Sequence, residues 1–491
     1  MVKLRRDKTP EVRRVAQELS AFERFDADTP EDRLNARIGI YGYNVIVKSG
    51  NLKGGIGVDM PTYNVGSESI TLPSLVPFQD VIASLNHFRT TVDGVGKDMI
   101  LAHSVDGKFY LTSLLEDDGF SLLEGVPVVR KATPVNYFKD GADHLLIYHE
   151  NGLTDYDGTS VSNFESVPPL TSVTMLYERA FGVEERSDKV HFSAISNPTD
   201  FSVESGGGWI TLRDDGGALT KIVSFGSSLY VFKEYGVYRL SVLGSPEDYS
   251  VERVLHTHSK IVPATIETTP HGIIFLMGTA LYIFDGYTVR TLDRGLIALM
   301  ESDEYAVGEY FDDRYYLACK MKTEGELVGD ERDLGIKKNN AVFHFNVVSG
   351  AQGILRGADI VGFFPVLTKG VKEIFVVFGN VRSHRPGRLS TDGKMFGEPL
   401  EKRWRSARTK MGAFDELKNL KRITLDTSCD LKIKVYQGSV NVEKTAYASS
   451  TTAVVPFGTV GYDFAFEISC TGDLFVRNAK LIFDYVRKYC P

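Results

Sequence analysis

The chain has 491 residues, 43% hydrophobic and 11% aromatic, which excludes a disordered protein and exceeds what a single core holds, so two or three domains are expected. Its formal net charge of -8 excludes a protein that wraps nucleic acid by neutralising phosphates. With 46 Gly, 29 Phe and 23 Tyr, many short strands and tight turns are the natural reading.

Residues 1–60 read as an N-terminal arm and entry strands. Thr9-Pro10-Glu11 and Thr29-Pro30-Glu31 each place Thr at an N-cap, Pro at the first helical position and an acid in the first turn. Behind the first, Val12, Val15, Leu19 and Phe22 fall on one helical stripe, with Arg13, Arg14, Gln17 and Glu18 facing away. This predicts a helical arm of two short helices. Its stripe is too short for a core of its own, so these four residues are candidate subunit contacts. The basic run Lys3, Arg5, Arg6, Lys8, Arg13 and Arg14 reads as a solvated tail or as an arm on a neighbouring acidic surface. From Arg37 to Gly57 the sequence is extended.

Residues 61–402 carry a recurring hairpin. It is clearest from Ser227 to Val242, and returns from His144 to Gly158 and from His271 to Gly286. In each copy, β-branched and aromatic runs flank turn residues such as Asn151-Gly152 or Gly278-Thr279. Spacing of about 35 to 60 residues is centred on that of propeller blades. We count about seven units: 81–115, 127–161, 171–203, 210–245, 261–292, 304–357 and 361–395, with six or eight blades as alternatives. Two Trp and no Gly-His to Trp-Asp spacing argue against the WD40 version. The stretch Lys322 to Asn340 reads as an exposed hairpin loop.

Glu401 to Arg408 reads as a charged connector, and Arg403, Arg405 and Arg408 within it are further candidate subunit contacts. Residues 403–491 then show period-two alternation with turns every 8 to 14 residues or so, which predicts a small antiparallel β-sandwich. The fold class is therefore all-β, a propeller with an N-terminal helical arm and a C-terminal sandwich.

Reactive constellations are scarce. His256-Thr257-His258 has no acidic third ligand nearby, and Asp117-Asp118, Asp214-Asp215 and Asp312-Asp313 read as loop carboxylates. Gly206-Gly207-Gly208 precedes a strand and lacks the Lys-Ser/Thr of a phosphate loop. Lys233-Glu234 reads as a solvated pair at a hairpin end. Cys319, Cys429, Cys470 and Cys490 form no Cys-x-x-Cys pair and read as free thiols of a reducing compartment. No signal peptide, membrane span, metal site or cofactor is expected.

The order of the segments resembles the propeller structural proteins of tailed bacteriophages, such as tail nozzle and packaged-DNA stabilisation proteins. The resemblance rests on Asn44-Val45-Ile46-Val47-Lys48-Ser49-Gly50-Asn51-Leu52-Lys53-Gly54-Gly55, Arg179-Ala180-Phe181-Gly182, His191-Phe192-Ser193-Ala194, Asn197-Pro198-Thr199-Asp200-Phe201, Leu229 to Arg239 and the Trp404-Arg405-Ser406 entry into the sandwich. It implies a non-enzymatic virion protein made in the host cytoplasm. It implies a homo-oligomeric ring, usually sixfold, in the tail or neck beside portal-side proteins, with double-stranded DNA passing through the axis unread. The alternatives are a glycan-binding or glycan-cleaving propeller at a tail tip and a cellular interaction propeller.

Overall fold

The computed structural model describes residues 12–18, 22–75, 80–92, 95–116, 118–139, 141–184, 186–368, 370–410, 416–448 and 452–486. Six of the seven hairpin units of the sequence become four-stranded antiparallel meanders. Five of these sheets span residues 82–122, 132–164, 170–211, 219–256 and 267–293, and each uses its four strands in chain order. The sixth begins with Met300–Phe311, Arg314–Met321, Ala341–Asn346 and Gln352–Arg356. The seventh holds Ile360–Thr368, Val371–Phe378 and Gly387–Ser390. The first strands of the seven sheets adjoin one another in sequence order, and the seventh adjoins the first. The cycle closes, and the architecture is a seven-bladed β-propeller.

Local chemistry accounts for the blades. Ser228–Lys233 and Gly236–Ser241 pair in register from Leu229↔Leu240 to Lys233↔Gly236, with the reversal at Glu234-Tyr235. Their β-branched and aromatic side chains fill the space between blades: Leu229 and Val231 pack toward Phe181 and Val190, and Phe232 toward Phe275. Asp312 and Asp313 both have positive φ, the left-handed geometry of a tight two-residue reversal.

The seventh blade is completed from far away in the chain. Its fourth strand is Gly57–Asp59, antiparallel to Gly387–Ser390 with Leu389 opposite Val58, and the short strands Lys394–Met395 and Glu398–Pro399 lie beyond it. Residues 57–59 therefore belong to the propeller, and the boundary drawn at residue 60 falls inside it.

Residues 39–54 belong to both halves of the molecule. Gly39–Tyr43 pairs with Lys402–Ser406, which pairs with Ala465–Cys470, followed by Leu431–Gln437 and Val440–Ala446. This is one sheet of the sandwich. The other runs from Asn51–Gly54 through Phe475–Val486 and Leu417–Thr427 to Ala453–Gly461. It does not stop at the domain edge. Val45–Lys48 bridges Asn51–Gly54 to Gln352–Arg356, so the sixth blade and this sheet form one continuous ten-stranded sheet.

The predicted helical arm is not what forms. Val12–Glu18 is a β-strand, antiparallel to Phe475–Val486 with Val15 opposite Phe483. The helical stripe was real in spacing, but an isolated helix of that length is marginal, whereas a sheet edge offers backbone partners at every residue. Near the second Thr-Pro-Glu a single 3-10 turn forms at Glu31–Arg33. Leu19, Cys490 and the run from Lys3 to Lys8 lie outside the described residues.

The charged connector is likewise a central sandwich strand. Trp404 within it is fully buried, and Phe22 meets it edge-on at 4.9 Å. Gly39 is required there, because a Cβ would lie 2.5 Å from the Trp404 indole nitrogen. The stretch read as an exposed loop is anchored too: Val328, Asp330, Glu331, Asn339 and Asn340 are all buried.

His344 sits inside the sixth blade with Gly353 against its ring. Burial, aided by the nearby Arg314 charge, pushes its imidazole down to about 3. The unfolded chain takes up this proton below pH 6.5, so stability is present above that pH and is lost as pH falls toward 3. Between pH 6.5 and 5 the loss from this group is about 2 kcal/mol. Urea titrations at pH 7 and pH 5 should show that step in the wild type and its absence in His344→Gln. Equal steps in both proteins would assign the pH dependence elsewhere.

Candidate functional site

The propeller axis is where the seven first strands converge, and propellers commonly place their chemistry at such a convergence. On these strands and beside them, polar bonds join neighbouring blades. Asn136 donates to the His87 carbonyl at 2.9 Å, and Thr133 donates to the Thr171 carbonyl at 3.0 Å. Ser172 accepts from the Ile222 amide at 3.1 Å, and Thr174 donates to Ser224 at 3.2 Å. Lys221 reaches Glu267 at 3.1 Å, and Tyr315 donates to the Thr265 carbonyl at 2.6 Å. Asn339 donates to the Ile360 carbonyl at 2.8 Å, and Thr368 donates to Asp98 at 3.0 Å. Each blade is thereby tied to the next around the full cycle.

Charge at the axis gathers on blades four to six. Glu309 is partly buried among neighbouring blades; burial, then the Glu267 charge, drives its carboxyl well above the usual range, and the Tyr310 amide and Lys221 oppose this. Two carboxyls and one ammonium therefore share the site with one carboxyl favouring its neutral form.

Lys233 corrects the sequence reading. Its side chain is fully buried, donating to the Leu212 carbonyl at 2.7 Å and pairing with Asp214 at 2.8 Å and Asp188 at 3.4 Å. It ties the third blade to the fourth, while Glu234 turns out to Lys260 at 3.0 Å. The apolar run Leu229-Tyr230-Val231-Phe232 before it is the signal that this strand is buried on both faces.

The other singled-out residues are dispersed. Phe22 is core, Val15 is partly buried on an edge strand, Val12 lies on the same strand and Leu19 is outside the described residues. Arg403 pairs with Glu467 at 2.8 Å, Arg405 with Glu324 at 2.7 Å and Arg408 with Asp463 at 3.0 Å. Arg405 thus reaches from the sandwich to the segment that follows the second strand of the sixth blade, whereas Arg403 and Arg408 pair within the sandwich. The structure does not bring them together with Val12, Val15 or Phe22 into one surface.

Asp214 is engaged by Lys233, Asp215 by Arg253 at 3.2 Å and Asp312 by Lys372 at 2.6 Å. His256 ends its strand, and its ring lies 5.8 Å from that of His258. Gly208 opens the strand Gly208–Thr211. Among the described residues, no group of three or more His, Cys, Asp or Glu side chains is placed to hold a metal ion, and no helix is long and apolar enough to cross a membrane.

A cleft of about 1010 Å³ lies where the segment 326–333 and the edge of the seventh blade meet the sandwich. Sequence reasoning missed it because its walls come from stretches far apart in the chain, among them 326–333, 395–401, 430–432 and 469–471. Arg382 and Asp330 pair at 3.1 Å on one wall, and Asp430, Lys432 and Cys470 stand on the other.

No protein-family model and no curated protein matches the chain. Among solved structures, virginiamycin B lyase from Staphylococcus aureus aligns at 9% identity and a TM-score of 0.41, covering 63% of this chain and 97% of its own. The BBS1 N-terminal domain, solved with ARL6, aligns at 9% identity and a TM-score of 0.42, covering 64% and 94%. The AfRom2 CNH domain aligns at 9% identity and a TM-score of 0.38, covering 64% and 96%. The class of protein is set by the chain's own sheets: a seven-bladed β-propeller fused to a β-sandwich.

Proposed function

We propose that this chain is a non-enzymatic structural protein of a tailed-phage virion. It works as one subunit of a ring in the tail or neck, through which double-stranded DNA is retained and then released. The observation that carries the reading is the continuous sheet from the sixth blade into the sandwich. It makes a rigid two-part block of the kind a ring subunit under DNA pressure needs. The segments that resemble tail nozzle proteins fall on this frame: Asn44 to Gly55 forms the bridge between the halves, and Trp404-Arg405-Ser406 lies in the central sandwich strand. Engagement of Asp214, Asp215 and Asp312 by cations weighs against glycan cleavage.

Analytical ultracentrifugation and negative-stain electron microscopy of the purified chain, alone and with the particle's other tail and neck proteins, test this. The expected result is a closed ring of identical subunits, usually sixfold in the family it resembles, with an axial opening wide enough for a duplex. A chain that stays monomeric in both settings, and is missing from purified particles, would refute it.

A further inference from the structure

Cys429 and Cys470 are 41 positions apart in sequence, yet their sulfurs lie 3.6 Å apart in a shared hydrogen bond. Cys429 sits in the turn between Leu417–Thr427 and Leu431–Gln437, and Cys470 ends the strand Ala465–Cys470. Both belong to the sandwich wall that faces the large cleft, and Cys470 lines it. We propose that these two residues are a reversible dithiol–disulfide pair, with Cys429 attacking and Cys470 resolving, that reacts with small-molecule disulfides such as oxidised glutathione.

The surroundings divide the roles. Cys429 is partly exposed and Cys470 is buried. The hydrogen bond shared with Cys470 holds the Cys429 thiol down to about 7, against burial, with the Thr427 hydroxyl and the Lys402 charge assisting. The same bond, together with burial, pushes the Cys470 thiol up. Lys402 is itself buried, held by the Leu400 carbonyl at 3.1 Å and the Gly393 carbonyl at 3.5 Å, so its charge is a fixed part of the site. Cys319 is a useful contrast: it is fully enclosed in the sixth blade, and burial alone pushes its thiol up.

The steps balance. The Cys429 thiolate attacks one sulfur of oxidised glutathione, forming a mixed disulfide and releasing one glutathione thiolate. Cys470 gives its proton to that thiolate or to water, then attacks the Cys429 sulfur and expels the second glutathione as its thiolate. The protein loses two electrons and two protons, and the glutathione disulfide becomes two thiols. The bond formed brings the sulfurs from 3.6 Å to about 2 Å and ties the turn at 427–430 to the end of the strand Ala465–Cys470. It would add a covalent brace to the sandwich when the protein leaves a reducing compartment.

The test uses the full chain in a Cys490→Ser background, treated with oxidised glutathione at pH 7.5 and read by intact mass and non-reducing tryptic mapping. The expected product is lighter by two hydrogen atoms, with peptide 423–432 joined to peptide 445–477. Cys470→Ser should instead accumulate one glutathione adduct on Cys429, and Cys429→Ser should leave Cys470 unmodified on the same timescale. The oxidised background protein should melt at a higher temperature than the reduced one, a shift absent from both serine variants. A native protein that gains a stable adduct without cross-linking overturns the proposal. So does Cys470 reacting equally fast without Cys429.

Discussion

Deleting residues 1–60 abolishes folding of the remaining chain. The deletion removes Gly39–Tyr43 from one sandwich sheet, Asn51–Gly54 from the other, the bridging strand Val45–Lys48 and the fourth strand of the seventh blade. It also removes Phe22 and Phe25, both fully buried beside Trp404 and Gly39. Each large buried aromatic contributes about 3–5 kcal/mol, so these two alone approach the whole stability of an ordinary domain. Size-exclusion chromatography and thermal melting by circular dichroism should show aggregate with no cooperative transition. A shorter deletion ending at residue 18 removes one edge strand and should still melt cooperatively. If the 60-residue deletion gave a soluble, cooperatively melting protein, the N-terminal strands would be ornaments on a self-sufficient propeller.

Arg356→Ala should cost about 3–5 kcal/mol, because it strands a buried carboxylate. The Arg356 side chain is fully enclosed and pairs with Glu331 at 2.8 Å. It donates to the Glu326 carbonyl at 3.1 Å and lies over the Tyr43 ring at 4.7 Å. Its own amide donates to the Asn44 side chain at 2.8 Å, and Asn44 in turn donates to the Glu401 carbonyl at 2.7 Å. One guanidinium therefore joins the sixth blade, the segment 326–331 and the N-terminal strands. Replacing both partners, as Arg356→Met with Glu331→Leu, should recover most of the loss, since apolar pairs of similar volume often match a buried ion pair. Urea unfolding of the single and double variants measures this. A single variant within about 1 kcal/mol of wild type would mean that water reaches Glu331 and that the pair is peripheral.

The blades were legible because each encodes its own hairpin: an apolar run, a turn dipeptide and an apolar return are local facts. Each of the seven units counted from sequence overlaps one of the seven sheets, with the clearest slippage at the fourth, read as 210–245 and formed over 219–256, because 208–211 ends the third blade rather than opening the fourth. Strands whose partners are remote were not legible in the same way. Nothing in Gly57-Val58-Asp59 announces pairing with Gly387–Ser390, and nothing in Val12–Glu18 announces Phe475–Val486. Lys402, Arg403 and Arg405 read as a solvated connector because charge outweighs Trp404 in a local window. The structure buries Lys402 and Trp404 fully and pairs Arg403 and Arg405 with Glu467 and Glu324. The cross-blade bonds were invisible for a similar reason: polar side chains such as Thr133, Asn136, Ser172, Ser224 and Thr368 acquire meaning only when the cycle closes.

The closure of the seventh blade by Gly57–Asp59 also sets a clock on biosynthesis. The partner strand Gly387–Ser390 is about 330 residues further along the chain, so at ~5–20 residues per second it leaves the ribosome roughly 15 to 65 s after Gly57–Asp59. The first six blades can form in order behind the ribosome, because each contains its own strands or borrows them from chain already made. Residues 39–59 cannot finish, since the sandwich strands they need are made last. Completion of the molecule is therefore a single late event. It seats both ends of the chain together, and until then the N-terminal strands carry unpaired edges that must be kept from one another on a crowded polysome.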